Sequence, residues 1–242
     1  MTATPRPRAI LTIDDAPSPQ IGEVLDVLTK CGIKAIFFCS GEQIAPYREF
    51  LLQALRQGHW LGNHGWNHRA FSSLSLADCV TQIEATEAVL SDLRTEAGCT
   101  NHPRLFRFPY GDKGFGIGPG RVLLSRLHPK VRALQKYLRV HQFRSTLDLG
   151  IQIPRPRFPY TLTTLDQDWL WGSDSRDWFF SKSGQSPGAY THWMSENFPA
   201  VPPSDEFRVF LFHDHPGHPA YLQSVLPLLA ARFSFVLPKE SP

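Results

Sequence analysis

The 242-residue chain lacks the features that mark several special classes of protein. It has no run of about 18 apolar residues, so no membrane-spanning helix is predicted. Its four cysteines form no CxxC pair, and we expect buried free thiols in a reducing compartment rather than a disulfide framework. Internal repeats and low-complexity tracts are missing as well. A hydrophobic fraction of 42% instead indicates a globular protein, long enough to bury a sizeable core.

A strong excess of charge of one sign is also missing. The chain has 25 basic and 22 acidic residues and a net charge of +3, too mild to predict a nucleic-acid partner. A basic run within residues 121–144 is interpreted as the solvated face of a helix. The first eight residues are polar, without an apolar signal region, so a cytoplasmic location is expected unless a leader was removed, which would predict secretion.

Apolar strands and amphipathic helices alternate along the chain. Strands are predicted at residues 9–13, 33–39, 59–64, 105–111, 169–178, 207–215 and 233–237, and helices at 21–30, 47–57, 75–93 and 221–231. This alternation is typical of parallel strands joined by crossover helices, a rule that both a doubly wound sheet and a barrel satisfy. The sequence therefore predicts an α/β fold, in one domain over residues 1–242.

The first predicted strand ends on two adjacent carboxylates, Asp14 and Asp15, just before Pro17. Adjacent residues on a strand point to opposite faces, but a turn beyond the strand end can bring both carboxylates to one pocket. Two carboxylates in one pocket both stay ionised at low cost only when a cation lies between them. A loop with a solvated acidic pair is the alternative.

The third strand leads into His64 and His68, two histidines four residues apart. On one face of a helical turn, both rings would reach a single metal ion. Two ordinary surface or capping histidines are the alternative. The acidic pair and the histidine pair both lie at strand-to-helix exits, where α/β folds build their sites. One carboxylate with two imidazoles leaves coordination positions open, which is typical of a catalytic metal site.

A later exit carries Arg107, followed by a turn at Pro109 and Tyr110. An arginine beside a carboxylate site would hold an aspartate ionised and oriented. Residues past the proline can turn backbone N–H groups toward an anionic oxygen. A surface arginine before a common turn is the alternative.

Five stretches of this chain, in order, resemble the motifs of the polysaccharide deacetylase family, also called the NodB homology domain. The matching stretches are TIDDAP at 12–17, HGWNH at 64–68, RFPYG at 107–111, DSRDW at 174–178 and LFHD at 211–214. The resemblance extends over about residues 9–238. It departs from the usual patterns at Ala16 and Gly65, where small residues replace Gly and Ser or Thr.

The resemblance implies a distorted (β/α) barrel with a divalent metal, usually Zn²⁺, although Co²⁺, Ni²⁺ or Mn²⁺ would also suit the ligands. The implied metal ligands are Asp15, His64 and His68. The implied catalytic residues are Asp14 as general base, His213 as general acid, Arg107 to orient Asp14, and Asp177 to hydrogen-bond His213. The implied substrate contacts are the backbone N–H of Tyr110 as oxyanion donor, and Trp178 and Leu211 as walls of the acetyl slot.

The segment between the third and fourth motifs is longer than is usual in the family. This insertion, at about residues 113–167, contains a glycine-rich start, a predicted basic helix at 122–140 and a Pro/Arg loop at 154–159. We expect it to shape substrate choice, with a peripheral decoration or a partner-binding helix as alternatives. His215 and His218 follow the last motif and are expected to lie near the site without binding the metal.

The resemblance implies a hydrolase of carbon–nitrogen bonds other than peptide bonds, which removes N-acetyl groups from an oligosaccharide, a polysaccharide or a sugar conjugate. An amidohydrolase of the same superfamily acting on a non-sugar amide is one alternative. A glycan-binding module without activity is another, although such a module would be expected to have lost the base or a ligand. An aspartate-nucleophile phosphatase would need its carboxylates at alternate positions, and Asp14 and Asp15 are adjacent.

Overall fold

The computed structural model describes residues 6–116, 127–151, 172–197 and 207–238, in which a parallel sheet is flanked by helices. Its strands are β1 (Arg8–Ala16), β2 (Ala35–Cys39), β3 (Trp60–Asn63), β4 (Ser173–Asp174), β5 (Arg208–His213) and β6 (Ser234–Phe235). The order across the sheet is β3-β2-β1-β5-β4, and β6 also pairs with β1. Every pairing is parallel, so the predicted α/β class with parallel strands is confirmed.

The described residues form these helices: α1 (Ile21–Cys31), α2 (Arg48–Arg56), α3 (Leu76–Glu96), α4 (Pro129–Val140), α5 (Asp177–Lys182), α6 (Pro187–Asn197) and α7 (His218–Arg232). Helix α3 begins with a capping box, in which the side chains of Ser75 and Asp78 each accept a hydrogen bond from the other's backbone N–H. Helix α1 ends at Gly32, whose φ of +64° is the left-handed conformation that favours glycine. The predicted helices thus exist with ends shifted by a few residues.

Strand β1 is buried on both faces, which explains why its sequence reads as a continuous apolar run. Leu11 and Ile13 pack into the large core beneath α1 and α7. Ile10, on the other face, packs with Phe38 and Val209 of the neighbouring strands. Because side chains alternate along a strand, Asp14 lies on the same face as Ile10, four residues later. A carboxylate is thereby placed near the carboxyl end of β1.

The stretch around Phe106 continues the sheet beyond β3 through a single parallel bridge to Asn63. Asn63 N–H donates to the carbonyl of Leu105 at 2.8 Å, and Arg107 N–H donates to the carbonyl of Asn63 at 3.0 Å. The prediction of a full strand before Pro109 is therefore wrong, whereas the turn predicted to end it is present as a short 3-10 turn, Pro109–Gly111. This bridge fixes Arg107 next to the exit of β3.

Helix α4 lies within the described part of the predicted insertion. Its apolar side chains Leu134 and Leu138 are buried in a cluster with residues of α3 and the 71–74 turn, and Lys130 donates to the carbonyl of Phe71. The helix begins at Pro129. Gly118 and Gly120 of the glycine-rich start, and the Pro/Arg loop, lie outside the described residues. Its predicted part in substrate choice, and the prediction of one domain over 1–242, stay predictions.

The described residues test two predictions, one on membrane-spanning helices and one on the cysteines. None of their helices combines the length and the apolar character that crossing a membrane requires. All four cysteines are free thiols; Cys39 and Cys79 are buried, whereas Cys31 and Cys99 are only partly buried. The prediction of buried thiols is therefore correct for two of the four.

Candidate metal and catalytic site

Asp14 and Asp15 lie inside β1, which continues to Ala16, and not in a turn beyond the strand end as predicted. A bulge between Ile13 and Ala16 shifts the pairing with β2, and Asp15 takes a φ of +64°. A bulge re-aims side chains, so both carboxylates face the same ring. His64 Nε2 lies 3.7 Å from Asp14 Oδ2 and 3.4 Å from Asp15 Oδ1.

His64 and His68 approach each other through a loop. His64 directly follows β3, and none of the next four residues is helical, so the predicted helical turn is wrong. Positive φ values at Gly65 (+77°) and His68 (+52°) turn the chain back on itself. The ring centroids end 5.1 Å apart, close enough for both rings to serve one ion.

Two buried or partly buried amide side chains hold this histidine loop in place. Asn63 Oδ1 accepts from Gly65 N–H at 2.9 Å, and Gln82 Oε1 accepts from Trp66 N–H at 2.9 Å. Gln82 belongs to α3, so the loop is tied to a long and well-capped helix. Sequence analysis missed Gln82, because the helical pattern of α3 marks only its apolar positions.

The ligand atoms of Asp15, His64 and His68 all lie within 4.8 Å of one another, and Asp15 Oδ1 is 2.9 Å from His68 Nε2. His64 Nδ1 lies 2.8 Å from the carbonyl of Arg107, which can only accept, so Nδ1 carries a hydrogen and Nε2 is the ring nitrogen that faces the site. Burial raises the pKa of Asp15, but the two imidazoles outweigh it and hold that pKa well below its usual value. A carboxylate and imidazole lone pairs that converge in this way fit a divalent cation.

Arg107 and Asp14 form a buried ion pair beside these three residues. The Arg107 guanidinium is 1% exposed and lies 2.5 Å from Asp14 Oδ1, 2.8 Å from Thr12 Oγ1 and 4.2 Å above the ring of Phe38. Asp14 is itself 4% exposed. The sequence did not single out Thr12, although it occurs two residues before Asp14 on the same face of β1.

His213, at the end of β5, and the buried Asp177, at the start of α5, form a second pair. Asp177 Oδ1 lies 2.9 Å from His213 Nδ1, and Oδ2 accepts from His213 N–H at 2.8 Å. Burial lowers the pKa of His213, but the hydrogen bond and the charge of Asp177 outweigh it and raise the pKa to about 9. His213 is therefore protonated at neutral pH.

The predicted substrate contacts are distributed around these pairs. Tyr110 has a φ of +58° and an exposed ring whose centroid lies 4.5 Å from that of His68. Leu211 is buried on β5, two residues before His213 and hence on the same face of the strand. Trp178 follows Asp177 in α5 and is 40% exposed. The oxyanion and acetyl-slot roles of these residues stay predictions.

Asp214 is a further site-shaping residue that sequence analysis quoted in a motif without giving it a function. Its carboxylate accepts from the N–H and the hydroxyl of Ser18, both at 2.6 Å. Its own N–H donates to the carbonyl of Asp14 at 2.7 Å. Asp214 therefore links the segment that follows the acidic pair to the end of β5. In the sequence, the only sign of this role is that Asp214 directly follows His213.

Comparison with known proteins gives a family and several relatives. The family model described as "Polysaccharide deacetylase" matches residues 2–115. Peptidoglycan-N-acetylmuramic acid deacetylase PdaC of Bacillus subtilis is 34% identical over 112 residues, which are 46% of this chain and 23% of that protein. Chitin deacetylase 1 of Cryptococcus neoformans is 34% identical over 102 residues, 42% of this chain and 21% of that protein. The chain thus matches less than a quarter of the length of these relatives.

A solved structure resembles the whole fold. The structure of peptidoglycan deacetylase PdaC from Bacillus subtilis matches with a TM-score of 0.63 and 21% identity, over 96% of this chain and 87% of that one. At this identity the likeness shows the fold alone. The predicted α/β fold of the distorted-barrel type is confirmed by it.

Proposed function

We propose that the chain is a member of the polysaccharide deacetylase family, whose model matches residues 2–115, and that it is a metal-dependent hydrolase that removes N-acetyl groups from an N-acetylated sugar. The observation that carries the proposal is the convergence of Asp15, His64 and His68 beside two separate titratable groups. Asp14 and His213 occupy paired positions on the adjacent strands β1 and β5. A base and an acid are thus placed on neighbouring strands at the edge of one candidate metal site.

The first part of the reaction needs a nucleophile and a polarised carbonyl. A divalent cation, when bound by Asp15, His64 and His68, supplies Lewis acidity toward the amide oxygen and makes water more acidic. We assign to Asp14 the removal of the proton from the attacking water. Arg107, at 2.5 Å, holds Asp14 in one orientation. The N–H of Tyr110 is assigned to the oxygen on which negative charge develops.

The second part of the reaction is departure of the amine, which must take up a proton to leave. His213 is assigned as the donor, and its pKa near 9 keeps it protonated at neutral pH. Asp177 holds His213 Nδ1, so Nε2 is the nitrogen left to deliver a proton. Leu211 and Trp178 are assigned as walls for the acetyl methyl group.

The substrate class is taken from the relatives, which are named for deacetylation of peptidoglycan and chitin. Zn²⁺ is proposed as the metal, because imidazole and carboxylate ligands suit it, although they also suit Co²⁺, Ni²⁺ and Mn²⁺. An amide that is not a sugar is the second candidate substrate. The predicted cytoplasmic location is likewise a proposal, and it favours a soluble glycan over a cell-wall polymer.

The test is acetate release from N-acetylated sugars, from monosaccharide to hexamer, with peptidoglycan fragments included. The protein is assayed after chelation and again after zinc is added back. We expect release that zinc restores and that Asp14→Asn abolishes. Asp26→Asn, which removes an exposed carboxylate on α1, is the matched control and should leave the rate unchanged.

Two other outcomes would contradict the proposal in different ways. Tight zinc binding with no acetate release from any sugar would overturn the assignment to N-acetyl sugars and turn the search to other amides. Glycan binding without release, in the zinc-loaded protein, would favour a binding module over an enzyme.

A further inference from the structure

Two histidines near the site, His215 and His218, are not used by the proposed reaction. Both approach the carboxylate that already holds His213: the distances to Asp177 Oδ2 are 3.5 Å from His215 Nε2 and 3.7 Å from His218 Nε2. Asp177 is fully buried, so this one negative charge lies among three imidazole rings. Each ring can be neutral, with one N–H, or charged, with two, and the contacts of each ring distinguish these states.

The contacts of His215 indicate that its ring is doubly protonated. Its Nδ1 lies 2.9 Å from the carbonyl of Pro216, which can only accept, so Nδ1 carries a hydrogen. Its Nε2 faces Asp177, which also accepts, and it makes no hydrogen bond of normal geometry within the described part of the chain. A neutral ring has only one N–H and would turn its Nε2 lone pair toward a buried carboxylate. The imidazolium satisfies both sides.

The rings of His215 and His218 differ in burial, and their pKa values shift in opposite directions. Burial lowers the pKa of His215, but Asp177 and the Pro216 carbonyl outweigh it, and the pKa is raised overall. His218 is completely buried, and desolvation lowers its pKa to about 3. His218 is therefore neutral, and of the two rings it is His215 whose contacts with the Pro216 carbonyl and Asp177 suit an imidazolium.

Other titratable groups also face this cluster from the elements packed around it. His213 and Asp214 lie at the end of β5, Tyr221 on α7 has its ring centroid 6.2 Å from that of His215, and Asp174 on β4 and Tyr190 on α6 face Asp177. The carboxylate of Asp214 is bound by Ser18. Asp177 therefore remains the carboxylate that both His213 and His215 share.

We propose that His215 is a positioning residue: its doubly protonated ring shares the Asp177 carboxylate with His213. The inference rests on the proposed function only in taking His213 as the proton donor. With His215 charged, part of the Asp177 charge is neutralised, so Asp177 holds the proton of His213 less firmly. When His213 has donated its proton and is neutral, the positive charge of His215 still compensates the buried Asp177 carboxylate.

The test measures protonation directly and needs no substrate. The zinc-loaded full chain, with isotope-labelled histidine, is titrated by NMR, and the imidazole signals of His213 and His215 are followed. We expect His215 to be charged at neutral pH. In His215→Gln, we expect the pKa of His213 to rise by about one unit, because a neighbouring cation is lost while glutamine still offers an N–H to Asp177.

The control is His192→Gln, which removes an exposed histidine on α6 and should leave the titration of His213 unchanged. A neutral His215 at pH 7 in the unsubstituted protein would overturn the inference, even if the variant failed to fold. An unchanged or lowered pKa of His213 in a folded His215→Gln protein would overturn it too.

Catalysis adds a separate readout and distinguishes the two proposals. If the chain deacetylates a sugar, the basic limb of the rate profile should move to higher pH in His215→Gln, with KM unchanged. If no acetate is released from any substrate, the proposed function fails while the NMR result still decides the protonation of His215.

Discussion

The buried ion pair of Arg107 and Asp14 allows a prediction about the free energy of unfolding that can be tested without a substrate. Arg107→Met keeps much of the apolar contact with Phe38 but leaves Asp14, 4% exposed, without its counter-charge. Breaking a buried ion pair by removing one partner costs about 3–5 kcal/mol. We expect the free energy of unfolding, from urea denaturation with chelator present, to fall by about that amount.

A double-mutant cycle shows whether this loss comes from the pair. Asp14→Asn removes the charge that Arg107→Met would strand, so the double variant should lose less than the sum of the single losses, by about 2–3 kcal/mol. Arg48→Met is the control: its partner Glu96 is also 2.5 Å away, but the two side chains are 36% and 47% exposed. An exposed pair contributes about 0–1 kcal/mol. Additive losses, or an Arg107→Met loss no larger than that of the control, would refute this reasoning.

Three further predictions concern the acid, the metal and the loop that holds the histidines. Asp177→Asn should lower the pKa of His213 from about 9 toward its ordinary 6.5. The proposed activity, in which protonated His213 is the acid, should then be lost at lower pH, and an unmoved basic limb in the rate profile would contradict this. His68→Ala should weaken zinc binding by at least about tenfold in calorimetric titration, because one of the three proposed ligands is gone. Unchanged affinity would show that zinc binds at another place in the protein. Gly41 lies against the histidine loop, and its N–H donates to the carbonyl of Gly65 at 3.0 Å. Gly41→Ala should lower the free energy of unfolding in urea by about 1–3 kcal/mol, because the added Cβ would overlap the ring of Trp66, and an unchanged free energy would show that this loop has room to adjust.

The protonation of His213 also fixes the sign of one contribution to stability. Its pKa is higher in the folded chain than in the unfolded chain, so the Asp177 pair stabilises the fold fully below about pH 6.5. That contribution is lost as the pH rises through about 9. Asp177 itself has a pKa held below its usual value, by His213 and His215 against the effect of burial, so its contribution is lost only in acid.

Much of the fold is legible in the sequence, because its signals are local. Alternating strand and helix patterns, a glycine after α1 and a Ser–Asp box before α3 are all encoded in neighbouring residues. The positions at the carboxyl ends of parallel strands follow from the same patterns. The sequence by itself therefore determined the α/β class and proximity of Asp14, His64 and Arg107 along one edge.

Orientation within the site was decided by tertiary structure. Local reasoning put the acidic pair beyond the strand and the histidines on a helical turn, whereas a bulge in β1 and a loop with two positive φ values aim these side chains. The bulge depends on the pairing of β1 with β2, and the loop depends on hydrogen bonds that its backbone N–H groups donate to the side chains of Asn63 and Gln82. Gln82 is sixteen residues away from its partner Trp66.

The protonation states were decided in the same way. The residue type gives His213, His215 and His218 one ordinary pKa, yet the folded chain raises the first two and lowers the third. The difference comes from a carboxylate, Asp177, that lies more than thirty residues earlier in the chain, and from the degree of burial of each ring. Desolvation and charge pairing depend on what folding packs together, and no local pattern of residues records them.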